Sequence, residues 1–230
     1  YYDLHIHSCL SPCADDDMTP ADIVGMARLT GLDVIALTDH NASHNAPAFF
    51  AAAARAGIPA LAGMELCTAE ECHVVCLFPT VERALAFGGR VAAALPPLQN
   101  RPAIFGEQRI MDDRDRVTGQ EPRLLAVAAA IRVDETAALV RAFGGAAFPA
   151  HIDRPSYSVI QALGVVPDMG YAAFEVMARG DAALRALTAR HPVLAGRPLL
   201  HNSDAHTLAQ IAERGAWLEL PVERREDIPG

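Results

Sequence analysis

Residues 33–41 read DVIALTDHN, a short apolar run that breaks off at polar residues. The run Val34 to Leu37 predicts a short strand, and Thr38, Asp39 and His40 then stand at its C-terminal end. The same arrangement recurs on both sides. Upstream, YYDLHIHS (residues 1–8) gives a strand over Tyr1–Leu4 followed by His5 and His7. Residues two apart on extended chain face the same way, so the pair presents two imidazoles to one point. Downstream, Pro59–Met64 predicts a strand ending at Glu65, and Val74–Phe78 predicts another with His73 at its start. Ala146–Pro149 leads to His151, Ala173–Val176 forms a further strand, and Leu199–Leu200 leads to Asp204 and His206. Trp217–Leu220 reads as a final strand.

Helical patterns fill the intervals. Thr19 is a helix N-cap with Pro20 at the first helical position, and Gly31 ends that helix. Further helices are predicted over Pro47–Ala56, stopped by Gly57, and over residues 81–95, 135–143 and 181–190. Alternating strands and helices define an α/β chain. Seven or eight such units favour a closed or nearly closed parallel barrel. An open doubly wound sheet is the second choice, because no glycine-rich fingerprint follows the first strand. Residues 1–230 read as one barrel domain, with the proline-, arginine- and aspartate-rich stretch 96–122 inserted after the fourth strand. In a barrel, chemistry gathers at the C-terminal strand ends.

Composition narrows the function. Half of the chain is hydrophobic (51%) and 20% is charged, enough to bury a core and incompatible with global disorder. A net charge of −9 argues against non-specific nucleic-acid binding through a basic face. All 19 basic residues are arginine, which excludes Schiff-base lysine chemistry and a Walker lysine. The five cysteines show no disulfide framework. Cys9 with Cys13, or Cys72 with Cys76, has zinc-compatible spacing, but reduced thiols of a cytoplasmic protein are the simpler reading. No apolar run approaches membrane-span length.

The strand ends therefore collect His5, His7, His40, Glu65, His151, Asp204 and His206; His73 stands at a strand start, and the first loop adds the triplet Asp15–Asp17. One ion takes three or four protein ligands, so this set suits two or three divalent ions with Glu65 as a bridge. Histidine with carboxylate suits zinc, manganese or iron. Such a cluster is net positive on an acidic protein. It would attract phosphate and supply a metal-bound hydroxide at neutral pH.

The segments HIHS, ADDD before MTP, LTDHN, GMEL, ECHVV, PAHIDRP and NSDAH, in that order, resemble the PHP family, named for polymerases and histidinol phosphatase. The resemblance runs from about Asp3 to His206. It implies a distorted, TIM-like (β/α)7 barrel with a two- or three-metal site and phosphoester hydrolysis. Carried over by motif, one ion takes His5, His7, Glu65 and Asp204; a second shares Glu65 with His73 and His151; a third takes Asp15, His40 and His206. Asp15 is preferred over Asp16 and Asp17 by its spacing to Thr19–Pro20, although this first loop is enlarged and contains Cys13.

Asp39 either orients a ligand histidine or caps a turn. Arg154 either grips a substrate phosphate or forms a surface ion pair. His201 reads as an inward or supporting residue, and His44 and His191 as loop residues. The arginines of the insertion, Arg101, Arg109, Arg114 and Arg116, belong to a solvated loop or to a cap reaching the substrate. The leading expectation is hydrolysis of a small phosphate monoester, of nucleotide or histidinol-phosphate type, with no membrane partner. The alternatives are a nuclease acting on short single strands or 5′ ends, and a non-catalytic metal-binding regulatory domain.

Overall fold

The computed structural model describes residues 1–211 and 215–218. Its strands and helices follow the predicted alternation: β1 (Tyr2–Asp3), α1 (Pro20–Thr30), β2 (Val34–Leu37), α2 (Ala46–Ala56), β3 (Ala60–Cys67), β4 (His73–Phe78) and α3 (Val81–Ala92). Then come α4 (Pro102–Phe105), β5 (Arg109–Met111), β6 (Val117–Gln120), α5 (Val133–Ala142) and β7 (Ala146–Pro149). The chain continues through α6 (Val159–Leu163), β8 (Phe174–Glu175), α7 (Asp181–Arg190) and β9 (Leu199–Leu200). Local chemistry explains the first helix. Thr19 accepts a hydrogen bond from Asp22 N–H, Pro20 presets φ, and Gly31 closes the helix at φ 76°, where a side chain would be strained. Trp217 and Leu218 form no strand, and the rest of the strand expected over Trp217–Leu220 lies outside the described residues.

The main sheet has the order β1-β2-β3-β4-β7, and β8 and β9 form a separate parallel pair. It curls. Tyr2, Ala36, Val75, Leu77, Phe148, Ala150 and Leu200 share one buried cluster, so β9 packs inside the arc made by β1, β2, β4 and β7. The alternate residues Ile35, Leu37, Val74, Cys76 and Phe78 point outward beneath the helices. Backbone bonds tie the ends: Ile152 N–H donates to Glu175 O at 2.9 Å, and His7 N–H donates to Ala205 O at 2.9 Å.

The all-parallel arrangement predicted from the sequence fails at one strand. β4 runs antiparallel to both β3 and β7. The connection Thr68–Cys72 is a tight hairpin, closed by Thr68 N–H donating to Cys72 O at 2.9 Å, too short for the crossover a parallel strand needs. Gly63 lets the two strands approach, since a Cβ there would collide with the Cys76 carbonyl. The reversal has a functional consequence. An antiparallel strand starts where its partner ends, so His73 at the start of β4 reaches the same rim as Glu65 near the end of β3.

Residues 96–122 carry α4 and the β5–β6 hairpin. The hairpin is fastened to the loop after β1. Arg109 N–H donates to Cys9 O at 3.0 Å, and Asn45 binds both Arg109 O (3.1 Å) and Met111 N–H (2.8 Å).

Candidate metal centre

Glu65 sits at the centre of the rim with 1% of its side chain exposed. Five imidazoles surround its carboxylate. His73 Nδ1 lies 2.8 Å, His5 Nε2 3.2 Å and His151 Nε2 3.2 Å from Oε1. His40 Nδ1 lies 3.0 Å and His7 Nε2 3.5 Å from Oε2. Asp204 Oδ1 is 3.3 Å from both His5 Nε2 and His7 Nε2. Burial opposes ionisation of Glu65, but the surrounding imidazoles of His73, His5, His151 and His40 hold its carboxyl well below the usual range. Burial pushes His5 down, yet Glu175, Glu65 and Asp204 outweigh it and raise its pKa well above the ordinary value. His7 is pushed well down by burial and by the neighbouring His206 and His40 rings.

The donor set fits divalent ions. Three groups of potential ligands converge: His5, His7, Glu65 and Asp204; His40, Glu65 and His73; and His7, His40 and His206. Glu65 Oε2 and Asp204 Oδ1 are buried and accept no hydrogen bond, although ring nitrogens lie 3.0–3.5 Å away. His5 Nε2 and His7 Nε2 face each other at 3.2 Å. Tetrahedral ligands at ~2.0–2.1 Å from zinc stand roughly 3.3 Å apart, so these separations are those of atoms sharing a cation.

The nitrogens that do not face the cluster are held from behind. His5 Nδ1 is 2.9 Å from Glu175 Oε2, so this nitrogen keeps its proton and donates, and Nε2 is the nitrogen that would give up its proton and offer a lone pair to a bound ion. Asn202 Nδ2 donates to the same Glu175 oxygen at 3.0 Å. Ser11 Oγ donates to Asp39 Oδ1 at 2.7 Å and can only accept from His7 Nδ1, 3.0 Å away, which fixes that tautomer too. Asp39 also accepts from Ser8 N–H and Ser8 Oγ, each at 2.7 Å. Sequence reasoning singled out Asp39 but missed Glu175, Ser8 and Ser11. The available signal for Glu175 was a carboxylate near the end of a predicted strand.

Asp15 stands apart from the other eight predicted ligands. Asp15, His151 and Cys13 all fall outside the three groups, but His151 lies 3.2 Å from Glu65 Oε1, whereas Asp15 is exposed and only its backbone N–H reaches the rim, donating to His206 O at 2.9 Å. Asp16 is exposed and paired with Arg109 at 2.9 Å, and Asp17 is also exposed. Cys13 is also exposed, but it lines the cavity that the cluster floors, with Sγ 3.2 Å from His40 Nε2. Burial pushes the Cys13 thiol up, but hydrogen bonds with His206 and His40 outweigh it and bring it down to about 6. Cys9, Cys72 and Cys76 are buried against backbone carbonyls, so neither cysteine pair forms a zinc site.

The cluster floors a cavity of about 770 Å³. Arg154, Tyr157, Met177, Arg179 and Asn202 contribute to its walls. Arg154 Nη1 donates to Asp204 Oδ2 at 3.0 Å from the cavity side. None of Arg101, Arg109, Arg114 or Arg116 lines this cavity. His201 Nδ1 is bonded to Val176 O, His44 is paired with Glu121, and His191 lies in the buried connection just after α7. His151, Tyr157 and Asp204 hold positive φ (31°, 53° and 52°), a cost of roughly 1–3 kcal/mol each that clusters at functional sites.

Fold and site together define an α/β chain whose rim gathers a buried set of potential metal ligands around Glu65. The chain belongs to the PHP family, whose PHP domain matches residues 3–135. No curated protein matches it in sequence. The fold is similar to that of the lesion-specific endonuclease PfuEndoQ from Pyrococcus furiosus, at 21% identity and TM-score 0.61 over 90% of this chain. The chain spans 48% of that endonuclease, about half its length. A protein described as a metal-dependent phosphoesterase from Bifidobacterium adolescentis is 20% identical with TM-score 0.58, covering 89% of this chain and 87% of that one. An amidohydrolase from Chromobacterium violaceum, solved with bound sulfate and no metal, is 18% identical with TM-score 0.60, covering 96% and 92%. Among the described residues no helix is long and apolar enough to cross a membrane.

Proposed function

We propose that the chain hydrolyses a small phosphate monoester, of nucleotide or histidinol-phosphate type, at a centre of two or three divalent ions. The observation that carries this reading is Glu65, a buried carboxylate ringed by five imidazoles beneath an open cavity. In this reading His5, His7, Glu65 and Asp204 hold one ion, Glu65, His73 and His151 a second, and His40 with His206 the outer one. Bound zinc, manganese or iron would activate water as the nucleophile and offset charge developing on the phosphoryl oxygens. Glu175 and the Asp39–Ser11 pair keep the His5 and His7 lone pairs directed inward. Arg154 spends one N–H on Asp204 and keeps others for a substrate phosphate on the cavity side. A cavity of about 770 Å³ lies within the ~300–1,000 Å³ typical of small-molecule sites.

The same reading takes the curled sheet and the β8–β9 pair as a distorted (β/α)7 barrel. It also takes residues 1–230 as one domain, with 96–122 as a cap that braces the first loop. Five free thiols accord with a cytoplasmic setting. A second reading, a nuclease acting on short single strands or 5′ ends, draws support from Tyr157. This ring is 47% exposed, lines the cavity and stacks on His73 at 4.7 Å, beside Arg154 and Arg179. An aromatic platform flanked by cations suits a nucleobase.

Phosphate release from sugar phosphates, mononucleotides, histidinol phosphate and short oligonucleotides tests both readings on protein loaded in turn with manganese, zinc and iron. Chelator-sensitive release from small esters supports the first, and a preference for oligonucleotides supports the second. Absence of release from metal-loaded protein points instead to a regulatory domain.

A further inference from the structure

We propose that the outer ion is held through the thiolate of Cys13, with His40 and His206, and that Asp15 is not its ligand. The inference rests on the metal-centre reading above and specifies one position within it. Cys13 Sγ lies 3.2 Å from His40 Nε2, and the ring nitrogens of His7, His40 and His206 converge within 4.8 Å. Glu65 occupies the other nitrogen of the His40 ring, with Oε2 3.0 Å from His40 Nδ1, so Nε2 is the one left facing Cys13.

The loop explains why a thiol, and not a carboxylate, reaches this point. Ser11 N–H donates to Ser8 O and Ala14 N–H to Ser11 O, two successive turns that bring Cys13 over the rim. The bond from Asp15 N–H to His206 O then fixes the backbone just past Cys13 while the Asp15 side chain stays exposed. Arg109, from the inserted hairpin, holds Asp16 outward. The insertion therefore sets the chemistry of the outer site without entering the cavity.

Sulfur with two imidazoles is a borderline-soft donor set. It favours zinc, cobalt and iron over magnesium and manganese, whereas the carboxylate-rich inner position discriminates less. Binding displaces the thiol proton to solvent and needs no oxidant or reductant.

Cobalt(II) titrated into metal-free protein gives a readout separate from turnover. A thiolate–cobalt bond produces an intense near-ultraviolet charge-transfer band that imidazole and carboxylate ligands do not. The proposal expects this band in the wild type and in Asp15→Asn. Cys13→Ser should lack it and bind one ion fewer per chain by elemental analysis, with unchanged circular dichroism. Cys9→Ser and Cys67→Ser should keep it. Cobalt bound with no such band would overturn the Cys13 assignment and leave the inner centre standing. So would loss of an ion in Asp15→Asn but not in Cys13→Ser. If no cobalt binds at all, the metal-centre reading falls together with the proposal.

Discussion

The inner and outer halves of the cluster are built differently. Around Glu65 and Asp204 the rear-facing nitrogens of His5 and His7 are held by hydrogen bonds from regular strands or from loops pinned beside them. Both rings and the Glu65 carboxylate are buried. The outer half, Cys13, His40 and His206, sits at the cavity edge, and Cys13 comes from an irregular loop that is itself fastened by an inserted hairpin. Burial makes the inner half expensive to leave unoccupied, because ionised carboxylates and crowded imidazoles there have little water to turn to. The outer half can exchange its partners with solvent. The contrast predicts an inner centre that is rigid and demanding in its residues, and an outer one whose ligand type can vary with loop length.

The most damaging change to the inner half is Glu65→Gln. The amide keeps the shape but loses the charge shared by five imidazoles, and a Gln oxygen is a poor bridge. We expect activity to fall by on the order of 10³-fold or more, with loss of bound metal in elemental analysis and an unchanged circular dichroism spectrum. Wild-type metal content in this variant would mean that the two halves do not depend on a common bridge.

Glu175→Gln probes the support behind the ligands. The amide can present its N–H to His5 Nδ1 and invert the tautomer that the carboxylate enforces. Metal affinity or activity should drop about 10–100-fold, the usual cost of losing a carboxylate behind a ligand histidine. The loss should fall on the inner ion, leaving the cobalt–thiolate band of the outer site in place. An equal loss at both positions would erase the distinction between them.

The residues legible in the sequence were those whose position follows from regular structure. His5, His7, His40, Glu65 and His151 follow short apolar runs, and a strand end was enough to place them on one rim. His73 did not obey the strand-end rule, because the rule assumes parallel strands and the short Thr68–Cys72 hairpin makes β4 run backwards. Glu175 was overlooked because a carboxylate within an apolar run reads as strand, and its partner His5 is 170 residues away. Asp15 was chosen by spacing to Thr19–Pro20. Spacing counts residues along the chain, whereas the two turns of this loop decide which side chain faces in. The insertion was visible as a break in rhythm, but its bonds to Cys9, Asp16 and Asn45 are long-range contacts with no local signature.

The smallest effect separates the cysteines themselves. In metal-free protein the Cys13 thiol is pushed up by burial but brought down to about 6 by its hydrogen bonds with His206 and His40. Burial pushes Cys9 and Cys67 up to about 12 and Cys72 up to about 11. A lowered thiol pKa means that thiolate is present above that value and vanishes as pH falls through it. Iodoacetamide labelling of Cys13, followed by mass spectrometry of its peptide, should therefore rise through pH ~6 and level off near neutrality. An unperturbed thiol would still be climbing near its pKa of about 8.5, and the buried cysteines should stay unlabelled throughout. Zinc added at neutral pH should slow the labelling of Cys13 if the outer half uses it. A Cys13 profile that climbs only through pH 8–9 would show that the two imidazoles do not stabilise its thiolate, and the cavity-edge half of the cluster would then lose its anionic ligand.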